Sequence, residues 1–270
     1  MYEGLRMTGF DEKQIMEKYE RLKTEYVNPF VPDLSRDAET RFIKDNEFLE
    51  NTFSRAITPH ICKGKLLFNK DRKAIPKNAD SRNYLKLIYD GEGRLLRSEY
   101  DMGGIGSTWS SSSDRKNITF RVSDNLWMDC MAEAGSDGKY RYNWVMFEHS
   151  EYDNEGRLVS VERFKGDPVL LVDVVVNAEY YEYEDGRLSH ITEYKDFHSD
   201  LPKISRDLVM MNMPDRVFNP DVINYSFERS GGDVICTRVH YYRVSQSITN
   251  TITIPEKEVI RMKEHGIRLV

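Results

Sequence analysis

A short turn motif recurs three times in this chain of 270 residues. The sequence YDGEGRL at 89–95 returns as YDNEGRL at 152–158, and YEDGRL follows at 183–188. In each copy a tyrosine leads into acidic residues, a glycine follows, and Arg-Leu begins the next segment. Acidic residues followed by glycine between apolar runs are typical of tight turns, so the motif predicts three β-hairpins. A chain that reverses direction in this way is expected to build an antiparallel sheet.

The copies predict two kinds of turn. In the first copy the Asp90 carboxylate is placed to accept a backbone N–H group two residues on, and Gly93 is placed to adopt positive φ in a bulge. The second copy has the same spacing. The third is one residue shorter, which suits Asp185 and Gly186 as the two central residues of a type I′ turn. The tyrosine and leucine of each copy should then face each other across the hairpin, a pair that stabilises a sheet by about 0.2–1 kcal/mol.

The motif resembles the YD repeat of the RHS family, whose members carry tandem hairpins of Tyr-Asp followed by Gly-Arg-Leu. The resemblance covers only these short segments; the copies are few and irregularly spaced, and the third lacks the Tyr-Asp pair. It implies meandering hairpins and a bacterial origin. Small proteins with related hairpins occur beside polymorphic toxins, where immunity proteins bind and block the toxin. The resemblance therefore implies a protein-binding role.

Composition excludes several classes of protein. The chain is 39% hydrophobic and 31% charged, the balance of a soluble globular protein. Its net charge of −6 argues against binding to a phosphate backbone, so no nucleic-acid partner is expected. The N-terminus shows no basic segment followed by an apolar core, and no apolar run approaches the length of a membrane helix. We therefore predict a cytoplasmic protein without a membrane contact.

Hydrophobic periodicity predicts an α+β fold that is mainly β. Residues 1–60 are predicted to be helical and to pack on the sheet, with helices at 10–27 and 37–54 forming an N-terminal helical hairpin. Residues 61–254 are predicted to form an antiparallel meander of YD-like hairpins. Residues 255–270 are predicted to form a short C-terminal helix and tail. The three regions are expected to make one compact domain.

Finer details of this prediction concern the ends of the sheet. A degenerate hairpin is predicted to begin near Lys65. At the other end, Thr253 and Glu256 are predicted to form a capping box around Pro255, and Gly266 to terminate the helix. Strands are predicted at 84–89, 118–122, 126–132, 140–151, 158–164, 169–183, 188–194, 222–228 and 234–244.

The segment 102–117, rich in Gly and Ser, is the longest predicted loop. It has the glycines of a phosphate-binding loop but lacks the lysine and the strand-to-helix context that would bind phosphate. A connection between hairpins is one interpretation, and a partner-binding loop is the other. In the second, Trp109 is the aromatic anchor, and Asp114 and Arg115 are the charged contacts.

No residue set in the sequence identifies a reaction, so the catalytic residues stay unknown. Cys62 and His60 lie two residues apart and would share one face of a strand, as a nucleophile and its base, although a structural role is favoured. Asp173 interrupts an apolar run. If it is buried, its carboxyl pKa would rise and it could act as a general acid, but the favoured interpretation is that it faces solvent at an edge.

Metal binding and disulfides are not predicted. Cys62, Cys130 and Cys236 are odd in number and widely spaced, which favours buried thiols. The segment KDFHSD at 195–200 alternates Asp196, His198 and Asp200 in a way that suits a cation, but a solvated turn is favoured. We predict no metal and no cofactor.

Two classes of function remain. The first is a cytoplasmic protein-binding protein, such as an immunity protein that neutralises a bacterial polymorphic toxin through an acidic surface rich in tyrosine. The second is an enzyme or a carbohydrate-binding module with a site in a cleft between the helices and a curved sheet. The first is favoured, and the oligomeric state is not indicated.

Overall fold

Twelve antiparallel strands in one sheet dominate the computed structural model of this protein. The structure describes residues 11–44, 55–62, 64, 72–79, 84–101, 115–136, 139–167, 172–199, 221–241, 247–264 and 266–270. The chain divides into two units, Met1–Asp33 and Leu34–Val270. The second unit contains the whole sheet.

The first unit is helical, as predicted. Its helix α1, Glu12–Leu22, begins where the Asp11 carboxylate accepts the Gln14 N–H at 3.2 Å. A π-helical turn, Lys23–Val27, continues it. In the sequence, the helical spacing of apolar residues predicts one packed face formed by Ile15, Tyr19, Leu22 and Tyr26. In the structure Val27 is buried instead, and Tyr26 is 38% exposed. The reason is that a π-turn accommodates one more residue than an α-turn, which shifts the buried position by one.

Within the described residues, the second unit contains twelve strands and two short helices. The strands are β1 Glu39–Lys44, β2 Tyr84–Tyr89, β3 Leu95–Asp101, β4 Arg115–Arg121, β5 Leu126–Ala134, β6 Tyr140–Tyr152, β7 Leu158–Asp167, β8 Val172–Glu184, β9 Arg187–Ser199, β10 Asp221–Ser230, β11 Asp233–Tyr241 and β12 Ser247–Ile254. The helices are α2 Thr58–Cys62 and α3 Glu256–Glu264. Each strand pairs antiparallel with the next along the chain, so the predicted antiparallel meander is confirmed.

The three motif copies lie at the turns β2–β3, β6–β7 and β8–β9. The Asp90 carboxylate accepts the N–H groups of Glu92 and Arg94 at 3.0 and 2.8 Å, and Gly93 has φ of 77°. The second copy repeats this geometry. In the third, Asp185 and Gly186 both have positive φ, as a type I′ turn requires. The tyrosine and leucine of each copy are cross-strand neighbours, as predicted.

Buried apolar side chains in the described part of the second unit pack into clusters. One cluster joins strands β7–β12 to residues 56–61, to α3 and to the tail. Another, smaller cluster involves β1, β2 and β5. At the tail, the Leu188 N–H donates to the Arg268 carbonyl at 2.7 Å, which holds the chain end against β9.

The predicted helix at 37–54 is wrong where the structure describes it. Residues Glu39–Lys44 form β1 and pair with β2 along their whole length. β-Branched and aromatic residues at 40, 42 and 43 favour a strand once a partner strand is available. The N-terminal helical hairpin is therefore not formed over these residues, and residues 45–54 lie outside the described residues.

The C-terminal helix is confirmed, but the sequence pattern missed the strand before it. β12 pairs with β11 throughout. Its many Ser, Thr and Asn residues resemble a loop, although Thr and Ile favour strands. Because Thr253 is in this strand, the predicted capping box is replaced by Asp233, whose carboxylate accepts the Glu256 N–H at 2.9 Å. Gly266 ends the helix with φ of 85°, as predicted.

Candidate functional site

Of the three predicted partner-binding residues, only Arg115 belongs to the described part of the chain, and it lies at one corner of the sheet. Arg115 is the first residue of β4, opposite Glu133 of β5. Trp109 and Asp114 lie outside the described residues, in the connection between β3 and β4. The described ends of these two strands pair at the same corner, where Asp101 faces Lys116.

Three aromatic rings follow β6 at the same corner. Tyr140, Tyr142 and Trp144 occupy alternate positions and so share one face of the strand; we call them the ring row. The Tyr140 and Tyr142 ring centroids are 6.5 Å apart. Phe120 of β4 meets Tyr142 edge to face, with centroids 5.6 Å apart. The Lys116 Nζ lies 5.7 Å from the Tyr140 ring centroid, a cation–π contact.

The ring row is partly open to solvent. Tyr140 is 39% exposed, and Tyr142 and Trp144 are half-buried. Burial raises the pKa of the Tyr142 hydroxyl, with further influence from Arg97, Glu99 and neighbouring side chains. A partly exposed ring supplies contact area at low entropy cost, so the row is suited to recognition.

The part of β6 that carries the ring row extends beyond its neighbour β7. The β6–β7 ladder covers Met146–Tyr152. Within the described residues, Tyr140–Trp144 pairs with β5 alone, and a register shift skips Val145; we call Tyr140–Val145 the projecting edge. The β6–β7 ladder stops there because β7 pairs with β6 only as far as Lys165 and ends at Asp167. One side of the projecting edge therefore has no strand neighbour among the described residues.

Apart from the ring row, a cluster of polar side chains on the sheet contacts residues 55–62. The Glu179 carboxylate of β8 accepts the N–H groups of Ile57 and Thr58 at 3.0 and 3.2 Å, and the Thr58 hydroxyl at 2.5 Å. The Tyr181 hydroxyl also donates to it. Burial, and then the nearby Glu193, raises the pKa of Glu179. Glu179 therefore caps α2 from a distant strand.

Glu148 of β6, two strands away from Glu179, binds the same segment. Its carboxylate accepts the Arg55 N–H at 2.8 Å and the Arg163 Nε–H at 2.7 Å. Burial alone would lower the pKa of Arg163, but the Glu148 carboxylate reverses this and the pKa is raised. These carboxylates bind backbone and guanidinium donors, an arrangement suited to holding residues 55–62 in place rather than to proton transfer.

The three cysteines differ in exposure. Cys130 and Cys236 are buried, and burial raises the pKa of each thiol to about 12. The prediction of a buried thiol is wrong for Cys62, which is exposed at the end of α2. Its Sγ lies 3.6 Å from the Tyr225 hydroxyl, which donates to Glu193 at 2.7 Å. Because residues 58–62 are helical, the strand geometry assumed for His60 and Cys62 does not exist.

The remaining candidates fall on long strands. Asp173 lies in β8, and Asp196 and His198 lie in β9, so the turn predicted there is a strand instead. Asp200 lies outside the described residues. In the part of the chain that the structure describes, no group of His, Cys, Asp and Glu is arranged to hold a metal ion. Nor does any described helix have the length and apolar character needed to cross a membrane.

The ring row has a signal in the sequence that our predictions did not use. YRYNW at 140–144 places aromatics at alternate positions of a predicted strand. The projecting edge had no such signal, because it depends on where β7 leaves β6. No family model, curated protein or solved structure matches this chain.

Proposed function

We propose that this protein binds another protein through the ring row and the projecting edge. The observation that carries the proposal is the row of partly exposed rings on a strand that extends past its neighbour. Interface hot spots are rich in Tyr and Trp, and contiguous apolar side chains exposed to water often mark interaction sites. The segment with Trp109 and Asp114 connects β3 to β4 along the chain, and we propose that it contributes to the same interface.

The more specific proposal is that the protein is an immunity protein that neutralises a bacterial toxin. Its support is the resemblance of the turn motif to the YD repeat, together with the antiparallel meander that such repeats imply. In this role the protein covers the toxin surface and performs no chemistry. The carboxylates of Glu148 and Glu179 are compatible with that role because both bind the backbone of residues 55–58.

A matched pair of tyrosines tests the binding surface. Tyr140 and Tyr152 are both 39% exposed and lie at opposite ends of β6, one on the projecting edge and one where β7 is paired. Tagged wild type, Tyr140→Ser and Tyr152→Ser are used to capture partners from the native cells. We expect one stoichiometric protein with wild type and Tyr152→Ser, and at least about tenfold less with Tyr140→Ser. Equal capture by all three contradicts the proposal.

The immunity role has its own test. The captured protein is expressed in a bacterial host with and without this chain, and growth is measured. We expect growth arrest that this chain relieves and that Tyr140→Ser relieves less well. A captured protein that is harmless alone removes the immunity role but leaves protein binding in place. Glycan binding to the ring row, with no protein captured, favours the carbohydrate-binding alternative.

A further inference from the structure

We infer that the partner contributes an extended segment that adds to the sheet as a strand along Tyr140–Val145, with apolar residues against the ring row and an acidic residue opposite Arg141. This inference rests on the proposed function and specifies the chemistry of the partner. It follows from three features of the projecting edge: its open ladder, its two different faces and its local charge.

The first feature is the open side of the ladder. A strand presents N–H and C=O groups on both sides, and β6 uses one side of Tyr140–Val145 to pair with β5. Among the described residues, no strand pairs with the other side. Proteins usually blunt such an edge with charges, proline or a covering segment. Here aromatic residues occupy alternate positions, and Arg141 is the one charged residue between Tyr140 and Val145, a composition that supports pairing with a further strand.

The second feature is the difference between the two faces. Tyr140, Tyr142 and Trp144 lie on one face, and Arg141 and Asn143 lie on the other, where both are exposed. A strand added beside β6 must alternate in the same way. Residues opposite the rings gain from apolar contact, and residues opposite the other face gain from polar contact. The pairing thus selects a segment with alternating apolar and polar residues.

The third feature is local charge. The chain carries a net charge of −6, yet between Lys139 and Val145 it has two basic residues and no acidic one. One of them, Arg141, faces Glu133 of β5 across the existing ladder. Opposite charges that face each other across a strand pair stabilise it, so a residue on the open side of Arg141 is likewise expected to be Asp or Glu. The acidic surface predicted from the sequence would face a basic partner, and the projecting edge points to the opposite sign.

Labelled synthetic peptides of about eight residues test this inference, since that length spans the edge at about 3.3 Å per residue. The first alternates Val and Asp, the second alternates Val and Lys, and the third repeats the first with alternate backbone nitrogens methylated. N-methylation removes ladder donors but keeps every side chain. Fluorescence anisotropy gives the affinity of each peptide for full-length wild type, Tyr140→Ser, Tyr152→Ser and Arg141→Glu.

We expect the Val-Asp peptide to bind wild type and Tyr152→Ser alike, and Tyr140→Ser about tenfold more weakly. Methylation should weaken it by at least about tenfold because ladder hydrogen bonds supply much of the affinity in strand addition. Arg141→Glu should reverse the preference, so that the Val-Lys peptide binds more tightly than the Val-Asp peptide.

Three results overturn the inference. Equal binding of the methylated and unmethylated peptides excludes strand addition, and tighter binding of Val-Lys to wild type excludes the acidic segment. Absence of binding by all peptides up to about 1 mM excludes both. In each case the proposed function survives if Tyr140→Ser still captures less of the partner protein than wild type does. Equal capture by Tyr140→Ser and Tyr152→Ser shows that the proposed function itself has failed.

Discussion

Glu179 shows how a single buried residue connects distant parts of the chain. Its carboxylate provides acceptors for two N–H groups at the start of α2 and for the Thr58 hydroxyl. Removing it leaves the Thr58 N–H and hydroxyl buried without this acceptor, at about 1–3 kcal/mol for each group. The Ile57 N–H keeps a second acceptor, the Tyr181 hydroxyl at 3.2 Å. We expect Glu179→Ala to lower the free energy of unfolding by about 3 kcal/mol or more in urea denaturation.

The control for this prediction lies on the same strand. Glu182 of β8 is exposed. Glu182→Ala should change stability by less than about 0.5 kcal/mol, as surface substitutions usually do. Equal effects of the two substitutions would show that Glu179 does not hold α2.

Asp153 predicts a pH dependence of defined sign. The pKa of Asp153 lies below its usual 3.8, chiefly because its carboxylate accepts the Arg157 N–H. Burial opposes this shift, whereas the Arg157 side chain and the Glu155 N–H reinforce it. Since the folded pKa is lower than the unfolded one, this carboxylate stabilises the fold above the unfolded value, and the stabilisation is lost as pH falls through the folded value. The stability difference between wild type and Asp153→Asn should therefore be constant near neutral pH and shrink in acid.

Urea denaturation across the acid range measures this difference, with Glu155→Gln in the same turn as the control. A difference for Asp153→Asn that grows in acid would contradict the turn geometry.

Glu179 should show the opposite pH trend, because burial raises its pKa and the native state then holds its proton more tightly. The contribution of Glu179 to stability is present below the usual pKa of 4.5 and declines as pH rises towards the folded value.

Two glycines in one turn test the hairpin as an element. The φ of Gly93 is 77°, whereas Gly91 does not have a positive φ. At both positions, no atom lies within 4 Å of an added Cβ. Gly93→Ala should therefore lower stability by about 1–2 kcal/mol through backbone strain alone. Gly91→Ala should be neutral or slightly stabilising, because alanine reduces the entropy of the unfolded chain. Thermal unfolding of both variants provides the measurement, and equal losses would contradict this explanation.

The elements that the sequence predicted well are those with local causes. The turn at Asp90 follows from a short-range carboxylate and a glycine, so a pattern of seven letters is sufficient. β1 and β12 were not predicted, since their strand conformation depends on the neighbours β2 and β11. Tyr26 was misplaced because a π-turn leaves no signature in apolar spacing.

The thiols report on the whole molecule. Cys62 is exposed, whereas Cys130 and Cys236 are buried and have pKa values of about 12. Thiolate is the reactive form of cysteine, so a disulfide reagent at about pH 8 should modify the Cys62 thiol rapidly. The Cys130 and Cys236 thiols should react only at the rate at which the fold opens. Cys62→Ser should abolish the rapid phase. A second rapid thiol in native protein would contradict the burial of the core.

The candidate site could be predicted only in part at the scale of the whole molecule. The loop composition led to Trp109, Asp114 and Arg115, and the structure puts Arg115 at the corner that also carries the ring row. The projecting edge itself requires unequal lengths of neighbouring ladders, because β7 pairs with β6 only as far as Lys165 and ends at Asp167. The polar cluster beneath α2 joins residues 121 positions apart, a separation that no local pattern reports.

The strand order also bears on how the chain folds during synthesis. Since every strand pairs with its successor, the strands can pair in the order of their synthesis. Ile57 and Thr58 are made early, but their carboxylate acceptor at 179 arrives 121 residues after Thr58. That segment must wait, exposed to proteases and chaperones, until β8 is translated. Docking of α2 is thus a late step that cannot come before the synthesis of β8.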